Sequence, residues 1–366
     1  MHRNTWMEIS LDGIEENVRR SKSISHKKLI AVVKADGYGC GDIQIANAAM
    51  RAGAEMCAVS SADEALTLRE KGYEGNLLIL GHTDTEDLDE LIEKEAAVPA
   101  YSLSWVKRTV KHGCAGLKVH LKVDTGMNRI GFHTEEELKE AIRLLKKANA
   151  KIEGIFTHFA CADSDRGFTM RQFERFRELV TALNEPFEWI HCDNSEATLW
   201  LKEDFSNACR IGISMYGISQ EITDLAHPVS LYSRIFLNKQ IHEGDSVGYG
   251  ASYTASEEER IGTMPIGYAD GLVRKNQGRH VYLHGQEAEI IGRVCMDQTM
   301  IRIPADVPEG TKVEIFGPHI SLERMAEELD TIPYEILCLV SDRVTRVYRR
   351  HGKIVAESNS RMKAAG

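Results

Sequence analysis

The feature that most constrains this chain is a regular alternation of short apolar runs and helical patterns between Leu29 and Gly217. The apolar runs are rich in valine, isoleucine and leucine, which is typical of parallel strands buried on both faces. Successive runs leave room for one helix and two short loops. The eight predicted strands are Leu29–Val33, Met56–Val59, Leu77–Leu80, Ala97–Tyr101, Leu117–Val123, Ile152–Thr157, Phe187–His191 and Ala208–Ile213.

The segments between these strands carry helix signals of their own. Thr134, three residues before Glu137, predicts a capping box at a helix start, and Asp42 can cap an earlier helix. Eight successive β/α units predict a closed (β/α)₈ barrel of the TIM type. A doubly wound open sheet stays an alternative, because a count of strands does not show closure.

After Gly217 the pattern changes to short alternating strands separated by turns such as Glu243-Gly-Asp. We therefore expect an α/β barrel domain over residues 1–226 and a mostly-β domain over residues 227–366. A first strand at residues 5–10 is expected to join the β domain. The strands predicted in the second domain are Leu231–Leu237, Thr263–Ile266, Val281–His284, Ala288–Val294, Met300–Ile303 and Lys312–Phe316.

Composition and charge exclude several classes of function. Lysine and arginine number 45 against 55 aspartates and glutamates, a formal net charge of −10, which argues against nucleic acid or an anionic membrane as the main partner. No apolar run approaches the ~18 residues that span a bilayer, and the N-terminal residues lack the apolar core of a signal peptide, so we expect a cytoplasmic protein. The eight cysteines form no C-x-x-C pair, which favours reduced thiols, and we expect no metal.

Reactive side chains follow the predicted barrel strands at their carboxyl ends, where barrel enzymes carry their chemistry. Lys34 comes directly after the first strand, and partial desolvation there suits a lysine that forms a Schiff base. A lysine that merely extends its charge from a strand end to water is the structural alternative. The other candidates at this rim are Lys122, Arg129, His158, Ser195 and Arg210.

A phosphate site is predicted after the last barrel strand. Gly212 and Ile213 offer backbone N–H groups there, and Ser195 can add a hydroxyl or serve instead as a helix N-cap. For His158 and His191 the alternative is a hydrogen-bonded core histidine, which we favour for His191. A reactive lysine beside a phosphate site is what pyridoxal phosphate requires, so the sequence predicts this cofactor.

Seven motifs occur in one order along the chain. They are Ala31-Val-Val-Lys-Ala-Asp-Gly-Tyr-Gly, Lys122-Val-Asp-Thr-Gly-Met-Asn-Arg-Ile-Gly, Thr157-His-Phe-Ala, Arg210-Ile-Gly-Ile-Ser-Met-Tyr-Gly, Gly248-Tyr-Gly-Ala-Ser-Tyr-Thr-Ala, Pro265-Ile-Gly-Tyr-Ala-Asp-Gly and Gly292-Arg-Val-Cys-Met-Asp-Gln. Through them the chain resembles the bacterial alanine racemases along nearly its whole length. The resemblance implies a pyridoxal-phosphate enzyme that interconverts L- and D-alanine and supplies D-alanine for peptidoglycan.

The resemblance also implies roles for single residues around the cofactor. Lys34 matches the lysine that binds the cofactor and acts as one base, and Tyr249 matches the base on the opposite face. Arg210 matches the arginine that faces the pyridine nitrogen, with His158 as its partner. A guanidinium with a pKa above ~12 does not readily share its proton, so this arginine would leave the ring nitrogen unprotonated. The residues matched to phosphate contacts are Tyr38, Ser195, Gly212 and Ile213.

The remaining matches surround the substrate. Arg129 matches an arginine near the substrate carboxylate, and Lys122 matches a lysine often found carbamylated, whose negative charge orients that arginine. Met296, beside Asp297, matches a backbone contact to the substrate carboxylate, and Tyr268 matches a residue that lines the entry.

The resemblance further implies a homodimer whose active sites are shared, since the barrel of one subunit meets the β domain of the other in this family. Tyr249, Tyr268 and Met296 would then reach the barrel of the second subunit. A pyridoxal-phosphate carrier protein would lack the β domain. A decarboxylase of this architecture would call for an acidic residue in place of Arg210.

The chain departs from the family at Asp342, where many alanine racemases carry a tyrosine. Serine racemases of vancomycin resistance carry a small asparagine there, and an aspartate would offer an acceptor to a serine hydroxyl. Serine, alone or with alanine, is therefore the alternative substrate. The structural alternative is a surface aspartate paired with Arg343 or Arg346.

Overall fold

The computed structural model describes residues 3–359 of the chain, and these divide into two compact units. The barrel unit contains Ile14–Gly37 and Asp42–Ala226. The β unit contains the chain up to Gly13, the short segment Tyr38–Gly41 and the chain from His227 onward.

Strands and helices alternate in the first half of the chain, and strands predominate in the second. The strands are β1 Thr5–Ser10, β2 Lys28–Val32, β3 Met56–Val59, β4 Asn76–Ile79, β5 Ala96–Ala100, β6 Lys118–Lys122, β7 Lys151–Phe156, β8 Trp189–His191, β9 Ala208–Ile211, β10 Val229–Arg234, β11 Leu237–Ile241, β12 Ser246–Val247, β13 Tyr253–Thr254, β14 Glu259–Met264, β15 His280–Leu283, β16 Gln286–Glu289, β17 Thr299–Arg302, β18 Lys312–Phe316, β19 Thr345–Arg350 and β20 Lys353–Ser358. The α-helices are α1 Leu11–Ser25, α2 Asp42–Arg51, α3 Ala62–Glu70, α4 Leu88–Glu93, α5 Leu103–His112, α6 Glu135–Lys147, α7 Arg166–Leu183, α8 Ser195–Trp200, α9 Leu322–Leu329 and α10 Pro333–Leu339.

Strands β2 to β9 close into a parallel barrel in the order of the chain. The first and last of them pair, with Ile30 of β2 opposite Arg210 of β9. This closure confirms the predicted (β/α)₈ barrel and excludes the open sheet. All four residues of β3 are buried, as expected for a parallel strand covered on both faces.

The helix signals of the sequence are confirmed in part. The Thr134 hydroxyl accepts the N–H of Glu137 at the start of α6, as predicted. The Glu137 carboxylate, however, accepts the N–H of His133, one residue before the cap. Asp42 is the first residue of α2 and not its cap, and its own N–H donates to the Asp36 carboxylate.

The β unit is built around a seven-stranded mixed sheet with the order β16-β15-β18-β10-β1-β19-β20. Strand β1 lies inside this sheet, antiparallel to β10 and parallel to β19. A three-stranded sheet, β11-β14-β17, and the ribbon β12-β13 complete the unit. The predicted fold class, a TIM-type barrel followed by a mostly-β domain, is confirmed.

The predicted strand Leu231–Leu237 is wrong as a single element, because the chain changes sheets within it. Strand β10 pairs with β1 and β18, whereas β11 pairs with β14. Between them Ile235 is buried, and the exposed Phe236 already donates its N–H to the Thr263 carbonyl at 3.0 Å. The one predicted strand thus contains the end of β10 and the start of β11.

Within residues 3–359 no helix is both long enough and apolar enough to cross a membrane. All eight cysteines carry free thiols, and five of them are buried. The cytoplasmic location stays a prediction.

Candidate active site

The rim formed by the carboxyl ends of the barrel strands carries the predicted reactive residues. Lys34 lies two residues beyond β2, Lys122 ends β6, and His158 lies two residues beyond β7. Arg210 lies within β9, and Ser195 opens α8 after β8. Because parallel strands of a closed barrel end at one rim, these side chains belong to one face of the barrel unit.

The chain makes a left-handed helical turn directly after Lys34. The four residues Ala35–Tyr38 have φ angles between 52° and 61°. Non-glycine residues in this conformation cost about 1–3 kcal/mol each, and such strain is concentrated at functional sites. The Ala35 N–H donates to the Glu64 carboxylate at 2.8 Å, which helps to hold the turn beside the half-buried Lys34.

Arg210 is buried and donates to five acceptors through its two terminal nitrogens. Nη1 donates to Nδ1 and to the carbonyl of His191, at 2.9 and 3.0 Å. Nη2 donates to the carbonyls of Thr157 and Cys192, at 2.8 and 3.0 Å, and to Nδ1 of His158 at 3.1 Å. Burial lowers the pKa of Arg210 to about 10, which leaves it charged at neutral pH.

Carbonyl and imidazole dipoles surround the charge of Arg210, since no carboxylate among residues 3–359 lies within 4 Å of its guanidinium nitrogens. Its Nε–H has no acceptor in that part of the chain. A buried cation held in this way keeps one N–H available for a ligand.

Several positive charges at the rim act on His158. Desolvation, with the charges of Arg210, Arg129, Lys122 and Lys34, lowers the pKa of His158 well below its usual value. His158 is therefore neutral and accepts the hydrogen bond from Arg210. The charges that act on His158 are those of four cationic residues predicted at the rim.

Lys122 is buried at the end of β6, and its Nζ donates to the Val123 carbonyl at 2.7 Å. Burial lowers the pKa of Lys122 to about 7; Asp124 opposes this effect and neighbouring arginines strengthen it. The Asp124 carboxylate accepts three backbone N–H groups of the turn 126–129, at 2.9 to 3.1 Å. That carboxylate is engaged with the backbone, and Lys122 is left as a neutral amine at pH values above about 7.

At the predicted phosphate site, Ser195 Oγ is the acceptor of backbone N–H groups that follow β9. The Gly212 N–H donates to Ser195 Oγ at 2.9 Å, and the Ser214 N–H lies 3.5 Å from it. Ile213 begins the 3₁₀ turn that follows β9. Asn194, not Ser195, provides the side-chain cap of α8, so the N-cap alternative for Ser195 is wrong.

Two histidines beneath the rim form a pair that the sequence did not predict. His191 Nε2 lies 2.9 Å from His120 Nδ1, and both rings are fully buried. The Phe156 ring stacks on His191 with 4.8 Å between centroids. The available signal was that His120 lies two positions before Lys122 in β6, since alternate residues of a strand share a face.

The β unit carries a second group of predicted residues. Tyr249 lies in a short 3₁₀ turn and is 69% exposed, Met296 is 52% exposed and Tyr268 is 41% exposed. Tyr249, Met296 and Asp297 line one open pocket of about 470 Å³. Tyr249, Met296 and Tyr268 are among the large apolar residues that the β unit exposes.

Asp342 is exposed in a turn that Arg346 organises. The buried Arg346 guanidinium donates to four backbone carbonyls at 2.5 to 2.9 Å. Arg343 Nη2 lies 2.5 Å from the Asp297 carboxylate, and Asp342 adds negative charge around Arg343. The four acceptors of Arg346 are Gly39, Val340, Ser341 and Val344.

Tyr38 belongs to the β unit, where its buried ring lies 6.1 Å from the Tyr334 ring. Burial raises the pKa of Tyr38, so its phenol stays a hydrogen-bond donor. Three residues later Gly41 has a φ of 92°, and a Cβ there would collide with the Tyr348 hydroxyl. Only glycine fits this close approach.

The donor set of the barrel unit fits pyridoxal phosphate. Lys34 offers a primary amine at the rim, and the Ser195 hydroxyl, which accepts the Gly212 N–H, can donate its own hydrogen to a phosphate oxygen. The Nε–H of Arg210 needs an acceptor, and an unprotonated pyridine nitrogen is one.

Comparisons with known proteins agree on one family. The alanine racemase N-terminal domain family matches residues 9–220, and the alanine racemase C-terminal domain family matches residues 228–348. Alanine racemase 1 of Bacillus subtilis (strain 168) is 43% identical, over 98% of this chain and 96% of its own length.

Solved structures agree over the same length. The alanine racemase of Bacillus anthracis with bound L-Ala-P has a TM-score of 0.93 and 36% identity, covering 98% of both chains. A histidine racemase from Leuconostoc mesenteroides subsp. sake has a TM-score of 0.89 and 29% identity, covering 95% of this chain and 99% of its own.

Proposed function

We infer the substrate and the cofactor from the premise that this chain belongs to the alanine racemase family and is a racemase. We propose that it interconverts L- and D-alanine with pyridoxal phosphate and that the D-alanine serves peptidoglycan synthesis. The observation that carries the proposal is the geometry of Arg210, a buried guanidinium whose Nε–H has no acceptor among residues 3–359 and whose other contacts are carbonyls and imidazoles.

The cofactor, when bound, withdraws electrons from the substrate Cα and makes its proton removable. Inversion at Cα needs the proton to leave on one face and return on the other, so two bases are required. In this proposal Lys34 exchanges the Cα proton of one enantiomer of alanine, and Tyr249 exchanges the Cα proton of the other enantiomer. Arg210 retains its own proton and so limits the negative charge that the pyridine ring can take up, which favours return of the proton to Cα.

Other residues bind and orient in this scheme. Arg129 faces the substrate carboxylate, and the backbone at Met296, beside Asp297, makes a second contact to it. Tyr268 lines the entry, and Tyr38 donates to the phosphate. Further phosphate contacts are made by Ser195, Gly212 and Ile213, and His158 holds Arg210.

We propose that the active form is a homodimer, in which Tyr249 of the partner subunit reaches the barrel rim. The exposure of Tyr249, Tyr268 and Met296 supports this proposal, because bulky side chains at an open pocket are expected to be covered by a second surface.

Lys122 is proposed to carry a carbamate. An amine reacts with carbon dioxide only when it is neutral, and burial lowers the pKa of Lys122 to about 7. The nitrogen attacks the carbon, an N–C bond forms, and one proton leaves to water. The resulting negative charge would balance Arg129 and Arg210, which the engaged carboxylate of Asp124 does not do.

Carbon-13 NMR of the protein in ¹³C-bicarbonate tests this modification. We expect one carbamate resonance in the wild-type protein and none in Lys122→Met. Lys118→Met, at the opposite end of β6, is the matched control and keeps the resonance. A resonance that persists in Lys122→Met contradicts the assignment.

Racemisation is tested by circular dichroism of L-alanine incubated with the cofactor-loaded protein. Tyr249→Phe is expected to lower turnover by about 10²–10⁴-fold in both directions, since Tyr249 takes the proton in one direction and returns it in the other, while the visible absorbance of the lysine-bound cofactor remains. Tyr282→Phe, at a ring stacked on His319 outside the pocket, should keep full activity. Unchanged optical activity of both L-alanine and L-serine contradicts a racemase of either substrate.

Serine is the alternative substrate because Asp342 is an exposed acceptor in the β unit. The relatives named above lend no support to serine, and one similar structure is named a histidine racemase. The ratio of kcat/KM for alanine, serine and histidine in wild-type and Asp342→Tyr proteins separates these substrates. A ratio that Asp342→Tyr leaves unchanged removes Asp342 as a determinant of specificity.

A further inference from the structure

Three buried side chains form a hydrogen-bonded series that leads inward from the arginine of the proposed site. Arg210 Nη1 lies 2.9 Å from His191 Nδ1, and His191 Nε2 lies 2.9 Å from His120 Nδ1. Both histidines are fully buried, and Arg210 is nearly so. Two imidazoles thus stand in the position where a carboxylate would ordinarily support a buried guanidinium.

The series can run in one direction only. A guanidinium nitrogen has hydrogens and no lone pair, so Nδ1 of His191 has to accept. His191 then carries its proton on Nε2 and donates to Nδ1 of His120. His120 in turn has to accept at Nδ1 and carries its proton on Nε2. Each ring is thereby fixed in one neutral tautomer.

Protonation of either ring would put a hydrogen on its accepting nitrogen and so remove one hydrogen bond of the series. Burial and the charge of Arg210 lower the pKa of His120 to about 3 and the pKa of His191 well below its usual value. Both rings are therefore neutral, and desolvation is the main cause.

The series ends in a donor that has no partner. His120 Nε2 is buried and makes no hydrogen bond within residues 3–359. A buried polar group left unpaired destabilises the folded state. Space for the ring depends on Gly154, because a Cβ there would lie 2.5 Å from His120 Nδ1. An apolar residue at position 120 would remove this unpaired donor but would leave the buried Nε2–H of His191 without its acceptor.

We propose that His120 is a positioning residue, which accepts from His191 and so fixes the tautomer that His191 needs to hold Arg210. Without this acceptor His191 can place its proton on Nδ1. The Nδ1–H would then face the N–H of Arg210, and no hydrogen bond would form between them. Arg210 would then shift away from Nδ1 and hold the pyridine nitrogen less firmly. This role rests on the proposed function of Arg210, which it deepens.

Two substitutions separate the acceptor from the bulk of the ring. His120→Leu fills the space without an acceptor, whereas His120→Gln supplies an amide oxygen that can accept from His191. With cofactor and L-alanine, we expect His120→Leu to lower kcat roughly 10-fold, the lower end of the effect that hydrogen-bond partners of metal-ligating histidines have, with a smaller change in KM. We also expect more cofactor converted to its amine form per racemisation. His120→Gln should lie near the wild type in both respects.

A second measurement needs neither activity nor cofactor. Nitrogen-15 NMR of histidine-labelled apoprotein reports tautomers directly, and the signals are assigned by their loss in His120→Gln and His191→Gln. We expect both wild-type rings to stay neutral with the proton on Nε2 between about pH 5 and pH 9. In His120→Leu the His191 signals should move towards the average of the two tautomers.

Equal kinetics and equal His191 shifts in His120→Leu and His120→Gln overturn the proposal, as does a wild-type His191 with its proton on Nδ1. Failure of the racemase proposal looks different. In that case the wild-type holoprotein does not racemise alanine, while the tautomers of the apoprotein remain as stated.

Discussion

At the scale of single residues, Lys122 occupies a position where the folded protein disfavours its charge. The side chain is buried, its Nζ meets the Val123 carbonyl, and two arginines act on it. In the unfolded chain the same amine is solvated and binds its proton with ordinary lysine affinity. Folding therefore releases a proton from this residue over a definite range of pH.

The stability of the apoprotein in CO₂-free buffer should rise with pH because of Lys122. The pKa in the folded state is about 7, below the value for the unfolded chain. Between about pH 7 and pH 10 the unfolded state binds more protons, so the free energy of unfolding increases across this window. Urea unfolding at several pH values measures the slope.

In Lys122→Met the free energy of unfolding should lack the part of its rise with pH that Lys122 causes. Lys139→Met, at an exposed lysine paired with Glu135 on α6, is the control and should keep it. Identical slopes in the two variants would show that Lys122 is charged in the folded protein.

Sequence patterns predicted where single candidate residues lie along the barrel strands but not the contacts between them. Lys34, Lys122 and Arg210 were found because strand ends are recognisable from apolar runs. The pairing of His120 with His191 was not, since these residues are 71 positions apart and meet only when β6, β7 and β8 are in register. Hydrogen-bond direction depends on such contacts and leaves no periodic signal.

At the scale of elements, the barrel has a short ladder between β8 and β9. These strands share one aligned pair, His191 with Ala208. A buried ionic cluster links the surrounding chain, with Lys27 Nζ 2.7 Å from the Asp193 carboxylate and 2.9 Å from Ser206 Oγ, and also bonded to Glu203. Lys27 precedes β2, Asp193 follows β8 and Ser206 precedes β9, so the cluster reinforces the region where strand pairing is sparse.

Lys27→Met should destabilise the protein by about 3–5 kcal/mol, because it leaves two buried carboxylates without their cation. Desolvation disfavours the charge of Lys27, but Asp193 and Glu203 outweigh it and raise its pKa. Lys139→Met, which breaks only an exposed pair, should change the free energy of unfolding by less than about 1 kcal/mol. Urea unfolding of both variants measures the difference, and comparable losses would contradict a special role for the cluster.

Elements were predicted best where burial is complete. Barrel strands such as Met56–Val59 are apolar at every position, and the predicted and observed bounds agree. The break near Ile235 was missed because no turn residue marks it and only the change of partner strand ends β10. Helices α9 and α10 were missed because they interrupt a segment read as mostly β.

At the scale of the whole molecule, the proposed machinery is divided between the two units. Lys34 and Arg210 belong to the barrel unit, and Tyr249 belongs to the β unit with its side chain exposed. The sequence predicted both sets, but which chain supplies Tyr249 to a given barrel depends on assembly, which no pattern within one chain encodes.

Mixed dimers of two inactive variants test whether the sites are shared. Lys34→Ala and Tyr249→Phe homodimers should each be nearly inactive. In a shared arrangement, a heterodimer of the two has one site with both lesions and one site with Lys34 and Tyr249 both intact. Random reassortment of equal amounts should thus restore about a quarter of wild-type activity, since about half of the dimers are mixed and each has one working site. Sites built within one chain would each keep a lesion, so heterodimers purified through two different tags and found inactive would exclude sharing.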